Sequence, residues 1–268
     1  MGDWEKRYKE LDGEIRAKRP MIHHITNYVV MNVTANVTLA MGASPVMAHA
    51  NEEVEEMVAF ASAHVLNPGT LSLPWISAML KSGKKAKELG IPVILDPVGA
   101  GATQLRTDAC RQILEEVGPD VIRGNLAEVK ILAGEDAAIK GVDSLETGEI
   151  PLDAFKELAR QTSATICVTG PTDYITDGYT FYRVENGDPM MGYVTGTGCS
   201  ATTAVAVFCA VGGATAESCS MGLAVFGACG ELAADECSGP GSFQVAILDA
   251  LFNAPSQNLG AMLRIEEL

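Results

Sequence analysis

The chain has 268 residues, with 34 acidic against 19 basic side chains, a formal net charge of −15 and a pI near 4.6. Apolar residues make up 47% and charged residues 20%, a balance that supplies a buried core and argues against disorder. So acidic a chain argues against a nucleic-acid binder, which must replace phosphate counterions with Lys and Arg, and disfavours an anionic membrane surface; a small anionic ligand held by a few local donors stays open.

Taken in order, Met1 to Arg19 is charged and lacks a signal-peptide core. Met21–Asn51 and Pro189–Ala216 carry no Asp, Glu, Lys or Arg, but Asn, Thr, Ser and Gly interrupt both, so neither reads as a membrane span. Strands are expected at Met21–Thr26, Ser44–Ala48, His64–Leu66, Pro92–Leu95, Val121–Ile122 and Thr165–Thr169. Helical stretches are expected between them, at Val29–Met41, Asn51–Ala63, Leu73–Leu89, Thr107–Val117, Asn125–Ala133 and Leu152–Gln161. Asn51 reads as an N-cap, with Glu52, Glu53, Glu55 and Glu56 near the positive end of the helix dipole. Val54, Met57, Val58 and Ala61 then give the apolar stripe.

Strand–helix alternation implies parallel strands joined by right-handed crossovers, hence a layered α/β fold with a mainly parallel central sheet. Thr172–Glu185 alternates polar and apolar residues around Asp177-Gly178, the pattern of an antiparallel hairpin. Beyond Thr197 the pattern is helical to the end, broken at Gly212-Gly213 and Gly239-Pro240-Gly241. With no linker or repeat, a single domain over 1–268 is expected.

The seven cysteines include no Cys-x-x-Cys. Cys199, Cys209, Cys219 and Cys229 recur every ten residues, a spacing that does not align on one helical face. Most read as small buried residues in a reducing cytosol.

Ligands of open parallel sheets bind beyond the carboxyl ends of the strands. Those ends are polar here: Thr26-Asn27, Met47-Ala48-His49, Asn67-Pro68-Gly69, Asp96-Pro97-Val98-Gly99, Arg123-Gly124-Asn125 and Thr169-Gly170. Ordinary turn chemistry accounts for each alone; six on one edge, with an Asp and an Arg among them, point to a site. The sharpest signal is Val194-Thr195-Gly196-Thr197-Gly198-Cys199-Ser200-Ala201, which runs into a helical segment. Gly196, Thr197, Gly198 and Cys199 would form an anion hole from close-approaching backbone N–H groups and a helix N-terminus; the plain alternative is a turn that caps a helix. The same segment fits Gly-x-Gly-x-x-Ala with Glu217 about 20 residues on, but a second helix follows it instead of the strand a dinucleotide fold needs. Gly99-Ala100-Gly101 fails that fingerprint at Gln104, and no P-loop sequence occurs.

Cys199 at a helix start could be partly thiolate and accept a proton from an attacking hydroxyl, or only orient it; a packed small residue is the alternative. Asp96 and Glu128 could hold Mg²⁺ through water, although Asn125-x-x-Glu128 also fits a capping box and Asp96 before Pro97 fits a turn. Arg123 could pair with a phosphate or form a surface ion pair. His23, His24, His49 and His64 lack metal-ligand spacing and read as structural or substrate-lining.

Ile22–Asn27, Asn32–Asn36, Ser44-Pro45-Val46-Met47, Leu95-Asp96-Pro97-Val98-Gly99-Ala100, Arg123-Gly124-Asn125-x-x-Glu128, Val168-Thr169-Gly170 and Gly196-Thr197-Gly198-Cys199 together resemble the hydroxyethylthiazole kinase family of the ribokinase-like superfamily. The resemblance runs collinearly from about Met21 to the C-terminus. It implies phosphorylation of 4-methyl-5-(2-hydroxyethyl)thiazole with ATP and Mg²⁺ in thiamine salvage, by a cytoplasmic homotrimer with sites between subunits. It implies that Met47, through its backbone, and Gly196 contact the thiazole alcohol, with Asn27 nearby. Arg123 and Thr169 would contact ATP, and Asp96 and Glu128 would organise Mg²⁺ and phosphates. Cys199 stands where most ribokinase-like enzymes carry an Asp base. A hydroxymethylpyrimidine kinase, a nucleotide-dependent hydrate dehydratase and a non-catalytic nucleotide-binding homologue are the alternatives. Cys199 and Ser44–Met47 speak against the first two. The intact set of Asp96, Glu128, Arg123, Thr169 and Gly196–Cys199 speaks against the third.

Overall fold

Short apolar runs separated by amphipathic helices can bury both strand faces only if helices cover both sides of the sheet. The computed structural model, which describes residues 2–134 and 152–268, has this arrangement. Its strands are β1 (Met21–Ile25), β2 (Ser44–Val46), β3 (Ala63–Leu66), β4 (Val93–Leu95), β5 (Val121–Asn125), β6 (Thr165–Thr169), β7 (Asp173–Thr176), β8 (Phe181–Val184) and β9 (Ile265–Glu267). They form one sheet in the order β2-β1-β3-β4-β5-β6-β7-β8-β9. The pairings from β2 through β6 are parallel and those from β6 to β9 antiparallel.

Side chains alternate across this sheet as the pleat requires. Val65, Ile94, Val121 and Cys167 enter one core, whereas Leu66, Val93, Leu95, Ile122 and Ile166 enter the other. The first core is covered by α1 (Gly2–Lys18), α2 (Met31–Ala40), α8 (Thr197–Gly212), α9 (Ala216–Glu236) and α10 (Pro240–Asn253). The second lies under α3 (Val54–Val58), α4 (Leu73–Glu88), α5 (Gln104–Val117), α6 (Leu126–Ala133) and α7 (Leu152–Thr162). No helix among the described residues is long and apolar enough to cross a membrane.

The strands and most helices stand close to where the sequence places them, and the hairpin turns at Asp177-Gly178. Three expectations are corrected. The helix expected over Asn51–Ala63 is one short turn, Val54–Val58, and Ala63 already belongs to β3. Asn51 does not cap it. Its Nδ2 donates to the Pro74 carbonyl at 3.2 Å and its Oδ1 accepts from Ser77 Oγ at 2.9 Å, so contacts with α4 outcompete the local cap. The C-terminus is not helical throughout, because β9 pairs with β8. The N-terminal segment, read only as charged, forms α1: Tyr8, Leu11 and Ile15 are buried at spacings of three and four, and i,i+4 pairs such as Lys9–Glu5 and Lys18–Glu14 line its outer face.

Helices α8 and α9 are buried almost all round, which leaves small residues at their crossing. A Cβ on Gly222 would lie 2.9 Å from the Ala204 carbonyl oxygen and from Val205 Cα, backbone atoms that cannot yield without separating the helices. Gly222→Ala is therefore expected to destabilise the fold by about 1–3 kcal/mol, the range for overpacking, read as a lowered urea midpoint; an unchanged midpoint would show that the crossing has slack.

Candidate active site

The carboxyl ends of β1, β3, β4, β5 and β6 converge beneath the N-terminus of α8. Gly196 is its N-cap residue, at φ +85, where an L side chain is strained and a Cβ would come 2.9 Å from Val30 Cγ1. Thr197 Oγ1 donates to the Val194 carbonyl at 2.7 Å and ties the turn into the helix. The N–H groups of a helix's first turn have no acceptors of their own, so the glycine turn presents donors and the positive end of the dipole at this edge. The four residues expected to form an anion hole thus sit on one turn.

Below them is a buried polar network. Asp96, directly after β4, is 1% exposed. Its Oδ2 accepts from Asn67 Nδ2 at 3.0 Å and from Thr202 Oγ1 at 2.8 Å, while Oδ1 is buried without a hydrogen-bond partner among the described residues. Burial pushes its carboxyl up to about 6, partly opposed by the Arg123 guanidinium. Cys199 Sγ accepts from Asn67 Nδ2 at 3.2 Å and from Asn27 Nδ2 at 3.7 Å. Burial, reinforced by the Asp96 charge, pushes its thiol up to about 12. The expectation of a partial thiolate is corrected: desolvation and a neighbouring carboxylate outweigh the helix dipole, and Cys199 is a neutral thiol near pH 7.

Arg123 is an interior strand residue, 9% exposed, so the surface ion-pair reading does not apply. Its Nε is buried without a hydrogen-bond partner among the described residues. A Cβ on Gly198 would lie 3.1 Å from one of its terminal nitrogens, which places the guanidinium under the glycine turn. It borders a cavity of about 520 Å³, within the range of small-molecule sites, together with Thr169, Asp173, Asn186, Met191, Thr197, Gly198 and Phe226. Thr169 Oγ1 donates to the Gly124 carbonyl at 3.3 Å. Asp173 Oδ1 accepts from Gly170 N at 3.0 Å, and burial raises its carboxyl to about 6.

The capping box at Asn125 and Glu128 is present. Asn125 Oδ1 accepts from Glu128 N at 2.9 Å, and Glu128 Oε2 accepts from Asn125 N at 3.0 Å. Glu128 Oε1 also accepts from Gly99 N at 3.0 Å, joining the ends of β4 and β5. Met47 follows β2 beside β1, whose end carries Asn27; among the described residues no hydrogen bond links Met47 to the Cys199 network. His23, by way of Nε2, contacts the Ala48 carbonyl at 2.7 Å and stacks on His64, which bonds Ser82. Burial lowers the pKa values of both, and that of His24 to about 3, so these three are neutral buried groups. His49 instead lies on Trp75, with centroids 4.0 Å apart. The sequence does not mark Asn67, Thr202 or Asp173 as site residues: Asn67 reads as a polar strand end, Thr202 as helix and Asp173 as hairpin.

A folded-state pKa near 6 for Asp96 against about 3.9 in the unfolded chain means that the native state binds the proton more tightly. Stability is then lost as pH rises through this window, and the ionised buried group costs about 2–3 kcal/mol above it. Asp96→Asn is expected to raise the urea midpoint above wild type at pH 7.5 in metal-free buffer, with the advantage fading towards pH 4.5. Asp173 is present in both proteins, so the difference isolates Asp96, and a pH-independent difference would contradict the assignment.

Comparison with known proteins agrees with this fold. The model of the hydroxyethylthiazole kinase family matches residues 13–257. A hydroxyethylthiazole kinase of Desulfosudis oleivorans is 54% identical over 257 residues, covering 95% of this chain and 94% of that protein, and one of Chloroflexus aggregans is 51% identical over 262 residues, covering 98% and 94%. The solved structure of a hydroxyethylthiazole kinase protein from Pyrococcus horikoshii OT3 superposes with a TM-score of 0.88 at 40% identity, covering 98% of this chain and 99% of that one. A ribokinase-like superfamily protein from Enterococcus faecalis shares the fold alone, with a TM-score of 0.65 at 14% identity over 91% and 93% of the two chains. With a layered α/β sheet of ribokinase-like form, a glycine turn over buried Asp96 and Arg123, and relatives of this closeness over nearly its whole length, the chain belongs to the hydroxyethylthiazole kinase family.

Proposed function

We propose that the protein transfers the γ-phosphoryl group of ATP to the hydroxyl of 4-methyl-5-(2-hydroxyethyl)thiazole, as a cytoplasmic enzyme of thiamine salvage. The observation that carries this reading is the convergence of the Gly196–Cys199 turn, Arg123 and Asp96 on one sheet edge beside a cavity of nucleotide size. Phosphoryl transfer through a loose transition state depends on positioning and charge stabilisation more than on a strong base. The N–H groups of Gly196, Thr197, Gly198 and Cys199 would hold the migrating group, and Arg123 would offset its charge. Thr169 lines the same cavity and would contact ATP. Asn27, Gly196 and the Met47 backbone would hold the alcohol.

The residues fit Mg²⁺. Asp96 keeps one buried oxygen without a partner, and Glu128, although its oxygens hold backbone N–H groups, retains lone pairs towards the same edge. Among the described residues no three His, Cys, Asp or Glu side chains enclose an ion, and Mg²⁺ needs no such cage, since it keeps much of its water and takes phosphate oxygens. When bound, it would neutralise phosphate charge.

Cys199, being a neutral thiol, would orient the acceptor hydroxyl and not remove its proton; as the bond from the γ-phosphorus to ADP breaks and the new O–P bond forms, that proton would pass to the transferred phosphoryl oxygens or to water, and ADP would leave. The family resemblance also supports a homotrimer with sites between subunits. Tyr28 and Val29, beside Asn27, are 64% and 63% exposed, as residues waiting for a neighbouring subunit would be.

The direct test incubates the purified protein with ATP, Mg²⁺ and the thiazole alcohol, with hydroxymethylpyrimidine as competitor, and identifies the phosphate ester by mass. Thiazole phosphate is the expected product; its absence refutes the reading, and preferential pyrimidine phosphate replaces it with the alternative. Cys199→Ala is expected to lower kcat by less than about 100-fold, because a general base would account for about 10²–10⁴-fold. A larger loss would restore the proton-acceptor role, and full activity would remove Cys199 from the mechanism.

A further inference from the structure

We propose that Asn67 is a positioning residue for the phosphoryl transfer, the node that holds Asn27 on the acceptor side in register with Cys199 and Asp96 on the transfer side; the inference rests on the kinase reading above. Asn67 follows β3 and is 1% exposed. A side-chain amide has two N–H donors and a carbonyl oxygen with two lone pairs, and here all four are used. Nδ2 donates to Asp96 Oδ2 at 3.0 Å and to Cys199 Sγ at 3.2 Å. Oδ1 accepts from Asn27 Nδ2 at 3.0 Å and from Gly69 N at 3.1 Å. The orientation is forced, because a flipped amide would set its oxygen against the Asp96 carboxylate and its N–H groups against two other donors.

No other side chain reproduces this node. Asp has the shape but no donors and would add a second carboxylate beside Asp96. Ser offers one donor and Gln is a methylene too long. Gly69, whose N–H the node holds, also packs closely on Asn27: a Cβ there would lie 2.8 Å from Asn27 Nδ2. Asn67 bonds neither Arg123 nor Thr169 and is not among the residues bordering the nucleotide-sized cavity. Its effect should therefore fall on the alignment of acceptor and phosphoryl group and not on ATP affinity.

The test compares wild type with Asn67→Ala and Asn67→Asp in ATP-dependent phosphorylation of the thiazole alcohol, with thermal melts to confirm folding. Misplacement of reacting groups by about an ångström costs up to about 100-fold, so kcat is expected to fall about 10–100-fold in Asn67→Ala and further in Asn67→Asp, with the KM for ATP within about twofold of wild type. Asn67 and Thr202 both donate to the same oxygen of Asp96, so Asn67→Ala combined with Thr202→Val is expected to lose less than the product of the single losses. Multiplying losses, or a KM for ATP that rises in step with the fall in kcat, would overturn the proposal. So would a crystal structure of Asn67→Ala in which Cys199 and Asp96 keep their rotamers. That structure reads side-chain positions directly and decides the matter even if wild type leaves the thiazole alcohol untouched, a result that would count against the substrate reading instead.

Discussion

An ionised carboxylate sealed under a helix N-terminus is the constraint around which this protein is arranged. Asp96 has left water, and its charge is offset by Arg123 and by two neutral donors, Asn67 and Thr202. Burial of this kind is costly unless the group is well paired, and one oxygen remains unpaired. A core built for stability alone would place an apolar residue there. The position makes sense if the unpaired oxygen, the guanidinium and the glycine turn together meet a phosphate-bearing ligand, so that stability is given up where charge must be handled.

The rest of the fold serves that edge. Five parallel strands deliver polar groups at or near their carboxyl ends, with Arg123 reaching from the middle of β5, because parallel strands all point their carboxyl termini the same way. The covering helices α8 and α9 are buried nearly all round and packed through small residues, which lets the first turn of α8 descend onto Arg123. Cys199 belongs to this logic as a neutral group. Two amides hold its sulfur, and desolvation keeps its proton in place; a thiol so placed can direct a hydroxyl without competing with the carboxylate for charge.

What the sequence showed depended on range. Strand–helix alternation and the Asp-Gly hairpin are local patterns, and so is the Asn125–Glu128 capping box; each is present in the structure. The glycine turn is legible because closely spaced Gly residues before a helix bring backbone N–H groups within reach of an anion, although a plain helix-capping turn has the same local pattern. Failures came where distant partners decide. Asn51 looks like a cap until Pro74 and Ser77 of α4 compete for it. β9 exists only because β8 offers a free edge, and three apolar-poor residues at the chain end carry no strand pattern of their own. The protonation of Cys199 depends first on its burial by the folded chain and then on Asp96, more than 100 positions away, and neither is visible in the residues that start the helix. Asn67 reads as a strand end, but its four partners are a tertiary fact.

A crystal structure with a non-hydrolysable ATP analogue, Mg²⁺ and the thiazole alcohol is the most direct test of the central claim. The γ-phosphate is expected within hydrogen-bond distance of the Gly198 and Cys199 N–H groups and of Arg123, with the alcohol's hydroxyl against Cys199 Sγ. A nucleotide bound away from the α8 N-terminus, or an alcohol beyond reach of Cys199, would contradict it.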